Sequence, residues 1–307
     1  MIALIKKTAN RGFYMDRIVS YRISKKEEGM NVLEFLRKKG ISRHILSSMK
    51  SVEKAILIDG FPAGGKTPLR ENSILRIHVP ETGSGEHIVP VSMPLSVLFE
   101  DQDLLVVSKP ADTPVHPSVG NYENTLANGI AAYLEKKGED CPFRCINRLD
   151  RDTSGALILA KNPLSASLLS RQMRNREIRR TYLAVVKGIP PSKGTVSAPV
   201  GRVSSSVIER RVDYDCGDPA VTHYERLAVK GSHSLLEIHL ETGRTHQIRV
   251  HMGYLGYPLP ADYLYCPDYS RFPRQPLHSF QLDFIHPLTE KPLCVTAPVP
   301  ADIAENF

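Results

Sequence analysis

The sequence predicts an α+β fold with a mixed, largely antiparallel sheet flanked by helices, preceded by a small N-terminal domain. Its 307 residues, of which 41% are hydrophobic, are enough for two domains with sizeable cores. Short apolar or alternating segments are joined sometimes by turn-rich stretches and sometimes by helical ones, which is typical of an α+β domain. We expect a tail over residues 1–16, a small domain over 17–80, a linker over 81–93 and a larger domain over 94–307.

The first sixteen residues, MIALIKKTANRGFYMD, are basic and lack acidic residues until Asp16. A cleaved targeting peptide is one interpretation, but the short apolar stretch and the early start of a folded unit favour a simple tail. No apolar run approaches the ~18 residues that a membrane-spanning helix needs, so we expect a cytoplasmic protein without membrane contact.

The small domain is predicted from its helix-ending and turn residues. A helix over 31–39 has its apolar residues on one side and ends at Gly40, and Ser42 caps a second helix that runs to Lys50. The strands AILIDG and SILRIHV follow, separated by the turn-rich FPAGGKTPLREN. Basic residues gather on and between the helices: Arg37, Lys38, Lys39, Arg43, His44, Lys50 and Lys54.

The linker, ETGSGEHIVPVSM, contains Gly, Ser and Pro residues. After it, the larger domain should contain the strands SVLFE, LLVVSK, ALILAK, TYLAVVKG, AVTHYERLAV and SLLEIHLE. One helix is clearly indicated, because Asn162 suits its N-cap, Pro163 suits its first position, and apolar residues recur with helical spacing through LSASLLSRQMRN.

The run INRLDRDTSGALILAK places Asp150 between Arg148 and Arg151, immediately before a turn and a buried strand. A cationic neighbour opposes the desolvation that would neutralise a buried carboxylate, so this pattern is typical of a nucleophile that is kept ionised. The alternative is an exposed loop of mixed charge, which is the commoner setting for such clusters.

Three companion segments favour the functional interpretation: VVSKPADTPVHPSVGNYENTL, REIRRTYLAVVKG and LLEIHLETGRTHQIRVHMGYLGYPL. With the Asp150 segment, in this order and spacing, they resemble the RluA-type family of RNA pseudouridine synthases, over roughly 200 residues. The resemblance implies a pseudouridine synthase fold and the isomerisation of uridine to pseudouridine in ribosomal or transfer RNA. The small domain likewise resembles the alpha-L RNA-binding motif.

The resemblance also implies a catalytic set of Asp150, Tyr182 and Arg249. Tyr182 matches the tyrosine that packs against the target base, although a lone tyrosine in an apolar strand is more often a core residue. Arg249 matches the arginine that pairs with the catalytic aspartate, and we expect a two-donor guanidinium fork on Asp150. Thr242 is the expected N-cap of the helix that carries Arg249.

RNA contacts are expected from cationic residues around these motifs. Arg148 matches the arginine that steers the flipped base or fills its place, and phosphate contacts are expected from Arg151, His116, Arg244 and the run 171–180. His246 and His251 stand about 140° apart on a helix, too far to share a metal, and are assigned to hydrogen bonds with backbone or RNA phosphate. In the small domain the candidates are Arg37, Lys38, Arg43 and Lys50.

The expected partner is structured RNA, with ribosomal RNA favoured over transfer RNA. A net charge of +7 and a pI of about 9.1 fit a polyanionic partner. The five cysteines form no paired framework, which indicates free thiols in a reducing compartment. We expect a monomer with no metal and no cofactor.

Four positions depart from the family pattern. Asn147 replaces the usual histidine, and Asp112 replaces a glycine and so implies a different local turn. Arg180 replaces a lysine, and Asp218 stands where lysine is common.

Two other functions stay open on the sequence alone. One is a catalytically silent RNA-binding or ribosome-assembly factor on the same fold. The other is a glycoside or nucleoside hydrolase, which would need a second carboxylate. Asp152 is the nearest candidate for that role and is interpreted as structural.

Overall fold

The computed structural model describes residues 16–81, 88–139 and 141–307. Almost all of the expected tail and residues 82–87 of the expected linker therefore lie outside the described residues. In the part of the chain that is described, no helix is long and apolar enough to cross a membrane.

A four-stranded antiparallel sheet occupies the N-terminal part, with strand order β1-β4-β2-β3. Its elements are β1 (Arg17–Arg22), α1 (Val32–Lys38), α2 (Arg43–Ser48), β2 (Ile56–Ile58), β3 (Phe61–Pro62) and β4 (Ile74–Val79). Asn31 and Ser42 cap the helices by accepting hydrogen bonds from the amides of Glu34 and Ile45. Both predicted helices and both predicted strands are thus confirmed, whereas β1 and β3 were not predicted.

The second sheet has nine strands in the order β5-β6-β7-β14-β8-β13-β12-β9, and β15 also pairs with β14. The strands are β5 (Ser96–Glu100), β6 (Leu104–Lys109), β7 (Ser154–Ala160), β8 (Arg179–Lys187), β9 (Lys193–Ser197), β12 (Val221–Lys230), β13 (His233–Leu240), β14 (Leu277–Ile285) and β15 (Pro292–Thr296). A separate hairpin is formed by β10 (Val200–Arg202) and β11 (Arg210–Val212). Of the pairings between described strands of the large sheet, β7 with β14 alone is parallel, which confirms the mixed, largely antiparallel prediction.

Helices cover both faces of this sheet. They are α3 (Leu126–Lys136), α4 (Pro163–Arg174), α5 (Gln247–Tyr254) and the short α6 (Ala301–Ala304). The predicted start of α4 is confirmed, since the Asn162 side chain accepts a hydrogen bond from the Ser165 amide and Pro163 is the first helical residue. Every residue of β7 is buried, which explains why the central strands are continuously apolar in sequence.

The N-terminal unit packs against helix α4 of the larger domain. Leu164 and Leu168 of α4 belong to the same apolar cluster as Phe35 of α1. Arg17 of β1 donates from Nε and Nη2 to the two oxygens of Asp103 at 2.7 and 2.8 Å. Asp101 and His286 lie beside Asp103 in a grouping that would suit a metal, but the Arg17 guanidinium already supplies a cation there.

Candidate active site

A cavity of about 500 Å³ opens where β7, β8 and α5 come together, and it is lined by Asp150, Tyr182 and Arg249. The structure therefore brings together the three residues predicted as the catalytic set, although 99 positions separate the first from the last. Arg148, Arg180 and His246 line the same cavity. Among its charged lining residues six arginines outnumber two carboxylates, which suits a polyanionic ligand.

Asp150 lies in the turn that precedes β7. Its carbonyl oxygen accepts a hydrogen bond from the Thr153 amide at 3.1 Å, and its side chain is 26% exposed towards the cavity. On the upstream side, the buried Asn147 side chain bonds to the Ala156 carbonyl and the Ile158 amide of β7. Asn147, which replaces the histidine of the family pattern, therefore anchors the segment that carries Asp150.

Lys109 also stabilises the turn that carries Asp150. This fully buried lysine donates hydrogen bonds from Nζ to the carbonyl oxygens of Pro110, Thr113 and Arg151, at 2.8, 2.8 and 2.7 Å. Burial lowers the pKa of Lys109 to about 7, although the nearby Asp152 carboxylate acts to raise it. Three carbonyl dipoles thus compensate for the desolvated ammonium and fix the backbone next to Asp150.

Arg249 lies on α5 between two carboxylates. Its Nη1 donates to Asp150 Oδ2 at 3.1 Å, while Nε and Nη2 each donate to Asp262 at 2.7 Å. The expected two-donor fork is therefore present but its partner is Asp262, so the prediction of a fork on Asp150 was wrong. Burial lowers the pKa of Arg249, but the hydrogen bonds and charges of the two carboxylates outweigh this and raise it above its ordinary value.

The helix that carries Arg249 begins later than predicted. Its N-cap is His246, in the left-handed conformation with φ 58°, and not Thr242. The Thr242 hydroxyl instead donates to the Gln247 side chain and accepts from the Val221 amide. His246 also lines the cavity.

His246 lies between Asp150 and Tyr265. Its Nε2 lies 4.0 Å from Asp150 Oδ2, and its Nδ1 lies 3.0 Å from the Tyr265 hydroxyl. Burial lowers the pKa of His246, which favours the neutral imidazole, and Arg249 acts in the same direction while Asp150 opposes it. His251, by contrast, is fully buried. Its Nε2 forms a hydrogen bond with the Ala198 carbonyl, which agrees with the expected hydrogen bond to the backbone.

Tyr182 is on β8, where it shares the face of Ala184 and Val186 as predicted. Its side chain is 5% exposed. Burial raises its pKa, with Arg180 and a hydrogen bond to Ser279 acting in the opposite direction. A neutral phenol at the cavity wall can pack against a base and donate a hydrogen bond.

The remaining RNA-binding candidates surround the cavity or lie apart from it. Arg148 is exposed at its edge, and Arg174, Arg176 and Arg180 of the run 171–180 also line it. Arg244 lines it as well and donates to the Pro219 carbonyl at 3.2 Å.

Arg151 and His116 are exposed, and neither lines the cavity. Arg151 pairs with Asp112, which adopts the left-handed conformation with φ 53°. That left-handed conformation is one that glycine adopts without strain. Arg37, Lys38, Arg43 and Lys50 are exposed on the N-terminal helices and the turn after them.

Sequence reasoning missed Asp262, Tyr265 and the clamp formed by Lys109. Asp262 is fully buried and also accepts hydrogen bonds from the amides of Leu264 and Tyr265, so it organises the loop after α5. The Arg249 guanidinium lies 5.0 Å from the Tyr265 ring centre. The sequence signal for this residue is an aspartate in the apolar segment PLPADYLYC, thirteen positions after Arg249. That signal does not reveal that the two side chains pair.

Comparisons with known proteins agree with this geometry. The family model described as RNA pseudouridylate synthase matches residues 103–254. The uncharacterized RNA pseudouridine synthase YjbO of Bacillus subtilis is 39% identical over 277 residues, which cover 90% of this chain and 98% of that protein. Ribosomal large subunit pseudouridine synthase D of Xanthomonas campestris is 37% identical over 262 residues, 80% of this chain and 78% of that protein.

A solved structure is also similar. The human RNA pseudouridylate synthase domain containing 1 superposes with a TM-score of 0.56 at 29% identity, over 67% of this chain and 83% of that one. The family-model match includes Asp150, Tyr182 and Arg249.

Proposed function

This chain belongs to the RluA-type family of RNA pseudouridine synthases and is an isomerase of RNA uridines, and from that premise we propose that it modifies uridines in ribosomal RNA with Asp150 as nucleophile. The contact that carries the proposal is the hydrogen bond from Arg249 Nη1 to Asp150 Oδ2. It holds the carboxylate at the wall of a cavity that Tyr182 also lines.

The reaction replaces the glycosidic bond to N1 of uracil by a glycosidic bond to C5 and leaves the ring intact. The C1′–N1 bond breaks, the base turns within the cavity and C1′ bonds to C5, while C5 loses its hydrogen to solvent and N1 gains one. Asp150 begins this sequence by attacking the sugar or the ring, and the bond that it forms breaks again before the product leaves, so the carboxylate is regenerated. No oxidation takes place, since the product is an isomer of the substrate.

Tyr182 and Arg249 have supporting roles in this proposal. The Tyr182 ring packs against the uracil, and its hydroxyl, kept neutral by its raised pKa, is available to assist proton movement. Arg249 holds Asp150 in place. Because a uridine in folded RNA must leave its stack at a cost of a few kcal/mol, we assign Arg148 at the cavity edge to steering the flipped base.

RNA contacts outside the cavity are part of the same proposal. We assign phosphate contacts to Arg151, His116 and Arg244, and a contact with the substrate to His246. We further propose that residues 17–80 form an RNA-binding domain whose exposed Arg37, Lys38, Arg43 and Lys50 bind RNA beyond the target uridine. The direct packing of this unit on α4 supports a fixed distance between the two regions.

Ribosomal RNA is the favoured substrate because relatives at 35–39% identity are named ribosomal large subunit pseudouridine synthase D. The test is tritium release from transcripts labelled at uridine C5, which occurs only when C5 becomes the glycosidic carbon. We expect release from ribosomal RNA transcripts and none from transfer RNA. Asp150→Asn should abolish it, with RNA binding retained.

The matched control is Asp152→Asn, which changes a carboxylate in the same turn that does not line the cavity. It should keep release within a few-fold of the unmodified chain. Full release by Asp150→Asn would remove Asp150 from the role of nucleophile. Release from transfer RNA alone would overturn the substrate assignment, and free uracil would indicate hydrolysis.

A further inference from the structure

A second cleft, of about 360 Å³, lies beside the active-site cavity and contains three arginines, Arg202, Arg210 and Arg244. We call it the arginine cleft. Arg202 and Arg210 come from the β10–β11 hairpin, which pairs in antiparallel register from Val200–Val212 to Arg202–Arg210. Gly243 and Arg244 line both this cleft and the active-site cavity, so the two are immediate neighbours.

Hydrogen bonds to the backbone fix Arg210 in the arginine cleft. Arg210 Nη1 donates to the carbonyl oxygens of Val207, Ile208 and Glu209 at 3.3, 3.0 and 2.9 Å, which fixes its guanidinium against the hairpin turn. The Arg210 amide also donates to the Tyr265 hydroxyl at 2.9 Å. Because that hydroxyl contacts His246 as well, the hairpin is tied to the active-site wall.

One carboxylate opposes the arginines. Asp218 lines the cleft with a side chain that is 70% exposed, and its Oδ2 lies 3.6 Å from Arg244 Nη1. Three guanidinium groups against one exposed carboxylate leave a positive excess. At the tip of the hairpin, Val207 and Ile208 are 79% and 50% exposed, so apolar side chains border this cationic cleft.

We propose that the arginine cleft binds a backbone phosphodiester of the RNA strand whose uridine enters the active-site cavity, which rests on the proposed function. A strand with one base in the cavity must carry its backbone past the cavity rim, and Gly243–Arg244 form that rim on the side of the cleft. Planar guanidinium groups are matched to the paired oxygens of a phosphate. The proposal adds the β10–β11 hairpin to the RNA-binding surface.

The test measures equilibrium binding of the full chain to ribosomal RNA transcripts at several KCl concentrations. Arg202→Ala should raise Kd about tenfold, as expected for loss of a charge-assisted hydrogen bond. It should also reduce by about one the slope of log Kd against log salt, because one fewer counterion is released. Arg210→Lys, which keeps the charge but removes the fork, should weaken binding less.

The matched control is Arg211→Ala on the same strand. Arg211 is the neighbour of Arg210, does not line the cleft and pairs with Asp213 at 3.5 Å. We expect Kd to change by less than twofold. The slope of log Kd against log salt should change by less than one half.

A gain of affinity separates phosphate binding from a folding defect. Asp218→Asn removes the opposing carboxylate while the backbone pairing of residue 218 with Val200 remains, so Kd should fall about threefold. A misfolded variant would not bind more tightly.

Two results would overturn the proposal. If Arg202→Ala and Arg211→Ala have the same Kd and salt slope, the cleft is not part of the RNA interface. If Arg202→Ala raises Kd but leaves the salt slope unchanged, no phosphate is bound there. Tritium release measured on the same samples reports the proposed function independently. Release by the unmodified chain together with either result would refute the cleft alone.

Discussion

Arg249 is held between two carboxylates that differ in exposure. The Asp262 side chain is 1% exposed and takes two donors of the guanidinium, whereas the Asp150 side chain is 26% exposed and takes one. A buried charge pair persists only when its geometry and hydrogen bonds are nearly complete, so Asp262 sets the orientation of Arg249. Asp150 then receives a single donor and faces the cavity.

The first prediction concerns Asp262→Asn. An amide keeps the volume of the carboxylate but loses its charge and one of the two acceptors for Arg249, so the guanidinium should lose its fixed position next to Asp150. We expect the single-turnover rate of tritium release to fall roughly tenfold to a hundredfold, from the 1.5–3 kcal/mol typical of hydrogen bonds to charged groups. Kd for RNA should change little.

Because Asp262 is buried, its substitution also lowers stability, and Asp103→Asn provides the matched control. Asp103 accepts a similar two-donor fork from Arg17, at 2.7 and 2.8 Å, but lies outside the active-site cavity. Both variants should melt at a lower temperature, whereas at a temperature where both are folded only Asp262→Asn should turn over slowly. Equal rates would leave Asp262 a purely structural role.

At the residue scale, the sequence predicts groups that lie in recognisable motifs and misses groups whose partners depend on tertiary structure. Asp150, Tyr182 and Arg249 stand in three separate motifs, and the fold brings them to one cavity. Asp262 follows α5 on a loop that returns to the helix, so its pairing with Arg249 depends on a turn that the sequence does not specify. The same is true of the three carbonyl oxygens around Lys109.

At the scale of elements, the approach of β7 to β14 depends on Gly155. It has φ +110°, and a Cβ atom at this position would meet the backbone of Ser279, with the Ser279 nitrogen 2.7 Å away. Ser279 pairs with Gly155 in the parallel register between these strands. Only glycine suits such a backbone conformation and such a close approach.

Gly155→Ala should therefore destabilise the protein by at least about 3 kcal/mol, from a strained backbone and an overpacked strand contact. Urea unfolding followed by circular dichroism measures this. Gly253→Ala is the control, because Gly253 lies in α5 with no atom within 4 Å of its added Cβ, and it should be neutral or stabilising by up to about 1 kcal/mol. A Gly155→Ala variant as stable as Gly253→Ala would contradict the close approach.

Elements with strong local signals were predicted and those with weak signals were not. The strands β6, β7 and β8 are long apolar runs, and α4 has both a capping residue and an N-terminal proline. By contrast, α3 has the poor helix formers Asn128 and Gly129 in its first turn, although Thr125 caps it. The short β9, β10 and β11 depend on pairing partners rather than on their own composition.

At the scale of the whole molecule, the arrangement of strands decides which polar groups become buried, and His278 is a clear case. It lies on β14 and is 1% exposed. Its Nδ1 is 2.9 Å from the Ser154 hydroxyl and its Nε2 is 3.5 Å from the Ala297 carbonyl. Burial lowers its pKa to about 4, and the nearby Arg274 acts in the same direction while Asp302 opposes it.

This lowered pKa makes global stability depend on pH. The unfolded chain binds a proton at this histidine near pH 6.5 and the folded chain only near pH 4, so the neutral form stabilises the fold above pH 6.5 and that contribution is lost as pH falls towards 4. Between pH 7.5 and pH 5, His278 should account for a loss of about 2 kcal/mol in the free energy of unfolding. Urea unfolding at the two pH values measures it.

His278→Asn should be less stable than the unmodified chain at pH 7.5 and should lose correspondingly less stability on acidification, because the titrating group is gone. His44→Asn, on the exposed surface of α2, should keep the pH dependence of the unmodified chain. If His278→Asn loses as much stability on acidification as His44→Asn, the acid sensitivity comes from other groups. A flatter profile for His278→Asn alone would assign it to a buried neutral imidazole that the β7–β14 pairing encloses.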